Sequence, residues 1–138
     1  MRFLPVSLNA LLVELADLDQ TLALLASLQR EPLAGVQELV PAARTILVQF
    51  RPSATSVAAL ISAIAARDLS QRVRRDATLV EIPVHYDGED LAEVAQLLGI
   101  TPAELVRRHT GSAYNVAFVG FAPGFAYLSG GHESLDVP

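Results

Sequence analysis

The chain has 138 residues, half of them apolar, with a formal net charge of −5. That is enough for one ordinary domain or two small ones, and it is far from a disordered composition. All ten basic residues are arginine and there is no cysteine, which excludes a Schiff-base or P-loop lysine, disulfides, thiolate metal sites and thiol nucleophiles.

The acidic balance argues against a nucleic-acid partner, since the one basic cluster, Arg72, Arg74 and Arg75, reads as a solvated connector. Met1-Arg2-Phe3-Leu4-Pro5 lacks a signal-peptide pattern, because the apolar run behind it is broken by Ser7, Asn9 and Glu14. No apolar run reaches the roughly 18 residues of a membrane span, so a cytoplasmic protein with no membrane partner is expected.

Ala10 to Leu15 alternates Leu11, Val13 and Leu15 against Ala10, Leu12 and Glu14, which predicts a strand. Asp17 to Gln29 places Leu18, Leu22 and Leu25 on one helical face with Asp17 as N-cap, and Pro32 and Gly35 end it. Val36 to Val40 and Thr45 to Phe50 predict a hairpin joined by Pro41-Ala42-Ala43-Arg44. Val57, Leu60, Ile61, Ile64 and Ala65 recur at helical spacing, with Ser53 or Thr55 near the start. The order is β-α-β-β-α, and one more strand would complete a ferredoxin-like α+β sandwich. Leu69 to Ala77 is polar and Arg-rich, so a boundary falls there, between domains 1–76 and 77–138.

Leu79 to Tyr86 alternates Val80, Ile82, Val84 and Tyr86 on one face, with Pro83 arguing for an edge strand or bulge. A stripe of Leu91, Val94, Ala95 and Leu98 predicts a helix stopped by Gly99. Thr101-Pro102-Ala103-Glu104 is a capping box with proline at the first helical position, opening a helix to about His109. Tyr114 to Phe118 predicts a strand feeding Gly120-Phe121-Ala122-Pro123-Gly124-Phe125-Ala126-Tyr127-Leu128. Leu135-Asp136-Val137-Pro138 reads as the middle of a loop, and two strands and two helices are too little to close a sheet or barrel, so a fragment or truncated second domain is expected, or one that finishes its fold against another chain.

The Gly/Pro/Phe loop concentrates three of the chain's eight aromatics in nine residues. Glycine and proline fix an unusual backbone and the rings supply stiff apolar area, which suits either a tight turn anchored in a core or a rigid binding edge. His109 falls on the apolar side of its helix, as a buried histidine bonded to backbone or as a catalytic group. His85 reads as solvent-facing, and His132 with Glu133 lacks the second histidine of a zinc motif. Asp87, Glu89, Asp90 and Glu93 fit a helix N-terminus without catalysis. Neither Ser112 nor Ser129 lies in a nucleophile-elbow motif, and no phosphate loop or metal site stands out.

Three strings carry a resemblance: Val80-Glu81-Ile82-Pro83-Val84-His85-Tyr86-Asp87-Gly88-Glu89-Asp90-Leu91, then Arg108-His109-Thr110, then Tyr114 through Leu128. Together they resemble the allophanate hydrolase subunit 1 family, which includes the B-type subunits of bacterial 5-oxoprolinase and Kip-type kinase inhibitors. Gly35 to Ala42 and Thr45 to Val48 also resemble its N-terminal module. The chain departs from the family pattern at Leu8-Asn9, usually Gly-Asp, and at Ala126, usually proline. The family also continues well past Pro138. The resemblance implies a ferredoxin-like domain followed by the start of a cyclophilin-like β-barrel. It implies one component of an ATP-dependent enzyme that opens 5-oxoproline or a related amide, such as allophanate. The implied partners are a homologous C-type subunit and a separate A-type subunit, with the ATP bound mainly by those partners. Its alternative is a non-enzymatic inhibitor that binds a sensor histidine kinase. The expected functional surface is His109 as the catalytic group, with Tyr114, Phe121, Pro123, Gly124, Phe125 and Tyr127 binding substrate or partner.

Overall fold

The apolar alternation of the first third of the chain builds an antiparallel sheet. The computed structural model describes residues 1–70 and 78–137, and the chain divides into two units, Met1–Asp76 and Ala77–Pro138. The expected connector, with Arg72, Arg74 and Arg75, lies outside the described residues, as does Pro138.

The first unit runs β1 (Arg2–Ser7), β2 (Ala10–Glu14), α1 (Leu18–Arg30), β3 (Val36–Pro41), β4 (Thr45–Phe50) and α2 (Val57–Ala65). Its four strands lie in the order β1-β2-β4-β3. β2 and β4 pair Leu11 with Val48 and Val13 with Ile46, so their apolar residues share one face. That face, with Phe50, meets Leu24 and Leu28 of α1 and Leu60 and Ile64 of α2 in one buried cluster. Each fully buried aliphatic side chain contributes roughly 1.5–3 kcal/mol.

Two details correct the expectation. Arg2–Ser7 was not expected as a strand, yet β1 pairs with β2 across the two-residue turn Leu8-Asn9 and occupies the edge beside it. Pro5 is tolerated there because an edge strand can spare an N–H. The cap of α2 is Ser56, whose side chain accepts from the Ala59 N–H, rather than Ser53 or Thr55. The α1 cap is Asp17, as expected, bonded to the Gln20 N–H at 2.8 Å. Arg67 then closes the other end of α1, donating to the Ser27 and Glu31 carbonyls and to the Glu31 carboxylate. The Ser27 carbonyl already accepts from the Glu31 N–H, whereas the Glu31 carbonyl at the cap has no intrahelical donor.

The other face of the sheet carries an apolar row, because Leu4, Leu12, Leu47 and Val40 are cross-strand neighbours in register. Leu12 and Leu47 are half-buried, while Leu4 and Val40 at the two edges are exposed.

The second unit holds α3 (Leu91–Leu97), α4 (Pro102–Thr110), β5 (Tyr114–Val119), β6 (Ala126–Gly130) and a short 3-10 turn at Glu133–Leu135. The helices pack on each other, with Ala95 and Leu105 buried. Between them Ile100 N–H reaches the Ala95 carbonyl and Gly99 N–H the Gln96 carbonyl, a Schellman end that needs the positive φ of Gly99 (+67°).

No strand forms over residues 79–86, against expectation. Alternation alone does not make a strand, since a strand needs a partner, and none of the described residues pairs with this segment. Its Val80, Ile82 and Val84 side chains are exposed. A strand that was not expected, β6, begins inside the Gly/Pro/Phe string, runs on to Gly130 and pairs with β5. Among the described residues, no helix is long and apolar enough to cross a membrane.

Candidate functional site

The loop between β5 and β6 is a double turn. The Ala122 N–H donates to the Gly120 carbonyl at 2.9 Å, closing a γ-turn around Phe121 with φ +68°. The Phe125 N–H donates to the Ala122 carbonyl at 3.0 Å, with Pro123 second and Gly124, at φ +77°, third. That is the type II signature. The Gly120 N–H donates to the Phe125 carbonyl at 3.1 Å and joins the loop to the hairpin. A non-glycine residue in a positive-φ γ-turn is strained by roughly 1–3 kcal/mol. Here the strained residue is also the most exposed aromatic, with Phe121 89% exposed.

A bulge divides the site. β5 and β6 pair Tyr114 with Gly130 and Val116 with Leu128, then Phe118 with Tyr127, so Ala117 is an extra residue in β5. One extra residue reverses the alternation beyond it. The register therefore puts Tyr114 on one face of the hairpin, and Phe118 and Tyr127 on the other.

The ring contacts follow that division. Phe118 stacks on Tyr127 at 4.6 Å between ring centres, Phe125 meets Tyr127 edge-on at 5.3 Å, and Phe121 meets Phe125 at 5.4 Å. On the other side, Tyr114 lies 5.0 Å from the His109 ring, and the Tyr86 hydroxyl is 2.6 Å from His109 Nδ1. The expected single surface is therefore two clusters: Phe121, Pro123, Gly124, Phe125 and Tyr127 belong to the loop and its ring stack, while His109 and Tyr114 meet at the end of α4.

His109 is not a buried histidine bonded to backbone. It is exposed in the last turn of α4, and its partner is a tyrosine hydroxyl. Tyr86 was missed as a site residue, because its alternation with Val80, Ile82 and Val84 assigns it to a strand face. Gly131 was missed as well. At φ +97°, a Cβ there would come within 2.8 Å of the Tyr114 ring, so glycine is what admits the ring. Burial first, and then Tyr86, push the Tyr114 hydroxyl above the usual tyrosine range, so it remains a neutral phenol.

The helix that carries His109 is anchored by Glu104. Thr101 caps it, accepting from the Glu104 N–H at 3.2 Å, but the Glu104 carboxylate does not complete the capping box. It binds Arg107 and Arg108 instead, at 2.6–2.7 Å. Arg108 continues to the Ser134 hydroxyl at 2.7 Å and ties the 3-10 turn to α4. His85 is exposed as expected, 3.1 Å from Asp87, and His132 Nδ1 accepts from the Ser134 N–H.

Among the described residues no Gly-rich loop leads into a helix, and no group of three or more His, Asp or Glu gathers as metal ligands. The described residues do not build a phosphate-binding loop of the kind that would hold ATP. A cavity of about 380 Å³ belongs to the first unit, lined by Leu28, Leu33, Val36, Leu39 and Ile64 among others, and none of the expected site residues lines it.

The whole chain, residues 1–138, matches the family described as carboxyltransferase domain, subdomain C and D. The chain belongs to that family. It is of the type that includes allophanate hydrolase subunit 1 and the B-type subunits of 5-oxoprolinase. It is 30% identical over 129 residues to the 5-oxoprolinase B-type subunit of Bacillus subtilis, covering 82% of this chain and 53% of that protein. It is 33% identical over 108 residues to the 5-oxoprolinase B-type subunit of Escherichia coli O157:H7, covering 75% of this chain and 50% of that one. A crystal structure of the protein TTHA0988 superposes with a TM-score of 0.70 at 29% identity, covering 94% of this chain and 26% of its own. The chain thus spans about half the length of the curated relatives it matches.

Proposed function

We propose that this family member acts as the B-type component of a 5-oxoprolinase-like complex, which opens 5-oxoproline to glutamate with ATP and water. The observation that carries the reading is the match to 5-oxoprolinase B-type subunits over most of this chain. On this reading the first unit is a ferredoxin-like sandwich whose fourth strand is β1, residues 77–138 begin a cyclophilin-like barrel, and the complex is cytoplasmic. A lactam is an unactivated amide, so coupling to ATP supplies the driving force. ATP binds mainly to the partner proteins, a homologous C-type subunit and a separate A-type subunit, in keeping with the absence of a fitting phosphate site among the described residues. His109 and Tyr114 face the substrate amide, and the loop at residues 121–125 lines the edge shared with the partner. Allophanate is the competing substrate.

A second reading draws on Phe121. An exposed ring held on a strained turn suits docking onto a protein, and a sensor histidine kinase is the candidate. A coupled assay with the full-length complex separates the two. His109→Ala and Phe125→Ala should each depress glutamate formation from 5-oxoproline. Intact turnover in both variants defeats the site assignment, and co-purification of a kinase rather than a C-type subunit favours the regulator.

A further inference from the structure

Resting on the reading above, we propose that Tyr86 is a positioning residue that fixes His109 as its neutral Nε2–H tautomer. His109 then serves as a hydrogen-bond donor to the carbonyl oxygen of an amide or lactam, and not as a base.

The separation between Tyr86 Oη and His109 Nδ1 is 2.6 Å. One proton bridges the two atoms, and acceptor strength assigns it: the phenol donates and Nδ1 accepts. The in-plane lone pair of an imidazole nitrogen is a better acceptor than a phenol oxygen whose lone pairs are shared with its ring. Among the described residues the Tyr86 hydroxyl has no other acceptor. With Nδ1 accepting, the ring proton sits on Nε2.

The ring is also held from its face. Tyr114 lies against it at 5.0 Å, tilted by 38°, in the space that Gly131 leaves open. Tyr86 meets the ring edge-on, at 78°. One neighbour fixes the tautomer and the other limits rotation, while Nε2 has no partner among the described residues. A neutral N–H donor of fixed direction suits a carbonyl oxygen that gains negative charge as its carbon is attacked. No proton needs to leave His109 in that role.

The tautomer is read without any turnover. In ¹⁵N-histidine-labelled protein the two ring nitrogens of each tautomer have distinct shifts and couplings. His132, whose Nδ1 accepts from a backbone N–H, is an internal Nε2–H standard. His109 should match His132, and in Tyr86→Phe it should move toward a mixture of tautomers. A His109 that is Nδ1–H in the wild type, or unchanged in Tyr86→Phe, overturns the role of Tyr86. The donor role is read in the full-length complex. His109→Gln keeps an N–H at nearly the same reach and should stay within about tenfold of wild type, against a loss of roughly 100-fold for His109→Ala. Tyr86→Phe should cost roughly three- to tenfold, the worth of one hydrogen bond. Equal inactivity of His109→Gln and His109→Ala, with amide spectra showing both folded, overturns the donor role. A wild-type complex inert toward amides defeats the functional reading, and the tautomer measurement still decides Tyr86.

Discussion

The two units of this chain handle apolar residues in opposite ways. In the first, nine side chains from two strands and two helices, with Leu15 just past β2, close into one buried cluster. In the second, Ala95 and Leu105 are the only buried hydrophobics among the described residues, while Val116, Val119, Phe121, Phe125, Tyr127 and Leu128 are exposed along one hairpin. Rings that pack on each other in pairs, without sinking into a core, remain available to a ligand or a partner. The difference places stability in the first unit and the candidate chemistry in the second, as expected when recognition elements come from the less protected parts of a fold.

The sharpest way to break that comparison is a matched pair of truncations. Phe50→Ala empties a fully buried position and should destabilise the first unit by about 3–5 kcal/mol. Leu128→Ala removes a side chain that is 57% exposed and should change stability by no more than about 0.5 kcal/mol. Denaturant titration followed by hydrogen exchange at β2, β4, β5 and β6 measures both. Comparable losses in the two variants would mean that the hairpin has a core after all.

A second test acts at one backbone position. Gly131→Ala combines φ +97° with a methyl 2.8 Å from the Tyr114 ring. It should cost about 2 kcal/mol in the second unit and displace Tyr114 from His109. Ring-proton contacts between Tyr114 and His109 in the spectrum should disappear, and their persistence would show that the ring does not depend on this glycine. Phe121→Gly runs the other way. It relieves strain of about 1–3 kcal/mol and loosens the unfolded chain by about 0.4–1 kcal/mol, so the hairpin should gain about 1 kcal/mol. The same change should weaken partner binding, and a variant that is more stable yet equally tight would remove Phe121 from the interface.

At the level of helix ends, Thr101→Ala should cost about 1 kcal/mol through loss of the bond to the Glu104 N–H. The loss should be read as fraying of the first turn of α4 in amide exchange, with no change in α1.

These effects also mark how far the sequence could be read. β2, β4 and α2 were legible, because each buries a face whose periodicity is visible in the leucines, isoleucines and valines themselves; α1 was legible as a helix, but it buries Thr21, Leu24, Ser27 and Leu28 rather than the expected face of Leu18, Leu22 and Leu25, because small polar residues complete the buried stripe. Asp17 and Thr101 were legible as caps because capping is local chemistry. The edge strand β1 was not, since Arg2-Phe3-Leu4-Pro5-Val6-Ser7 gains strand character only by pairing with β2. Residues 79–86 failed for the converse reason, with the right alternation and no partner strand among the described residues. In the site, the turn residues Pro123 and Gly124 were visible by type. The division of the rings depends on one unpaired alanine, Ala117, and no composition signal marks a bulge there. The Tyr86–His109 bond spans 23 positions and is a property of the folded chain alone.

The gentlest perturbation is acid. Hydrogen bonds from Arg107 and Arg108 hold the Glu104 carboxyl down from an ordinary 4.5 to about 2, and the same pairing raises Arg107. A carboxyl whose value is lower in the folded state stabilises that state above its unfolded value. The contribution is therefore complete above about pH 4.5 and is lost as pH falls toward 2. The carboxylate lies near the surface, so added salt should shrink the effect. A ¹³C titration of the Glu104 carboxyl should show its midpoint near 2, and Glu104→Gln should flatten this part of the acid limb of unfolding. Because Arg108 also holds Ser134, protonating Glu104 should loosen the 3-10 turn before it disturbs the first unit. A midpoint near 4.5 would show that the two arginines do not grip Glu104 in solution, and the end of α4 that carries His109 would then be held by the Thr101 cap and Leu105 packing alone.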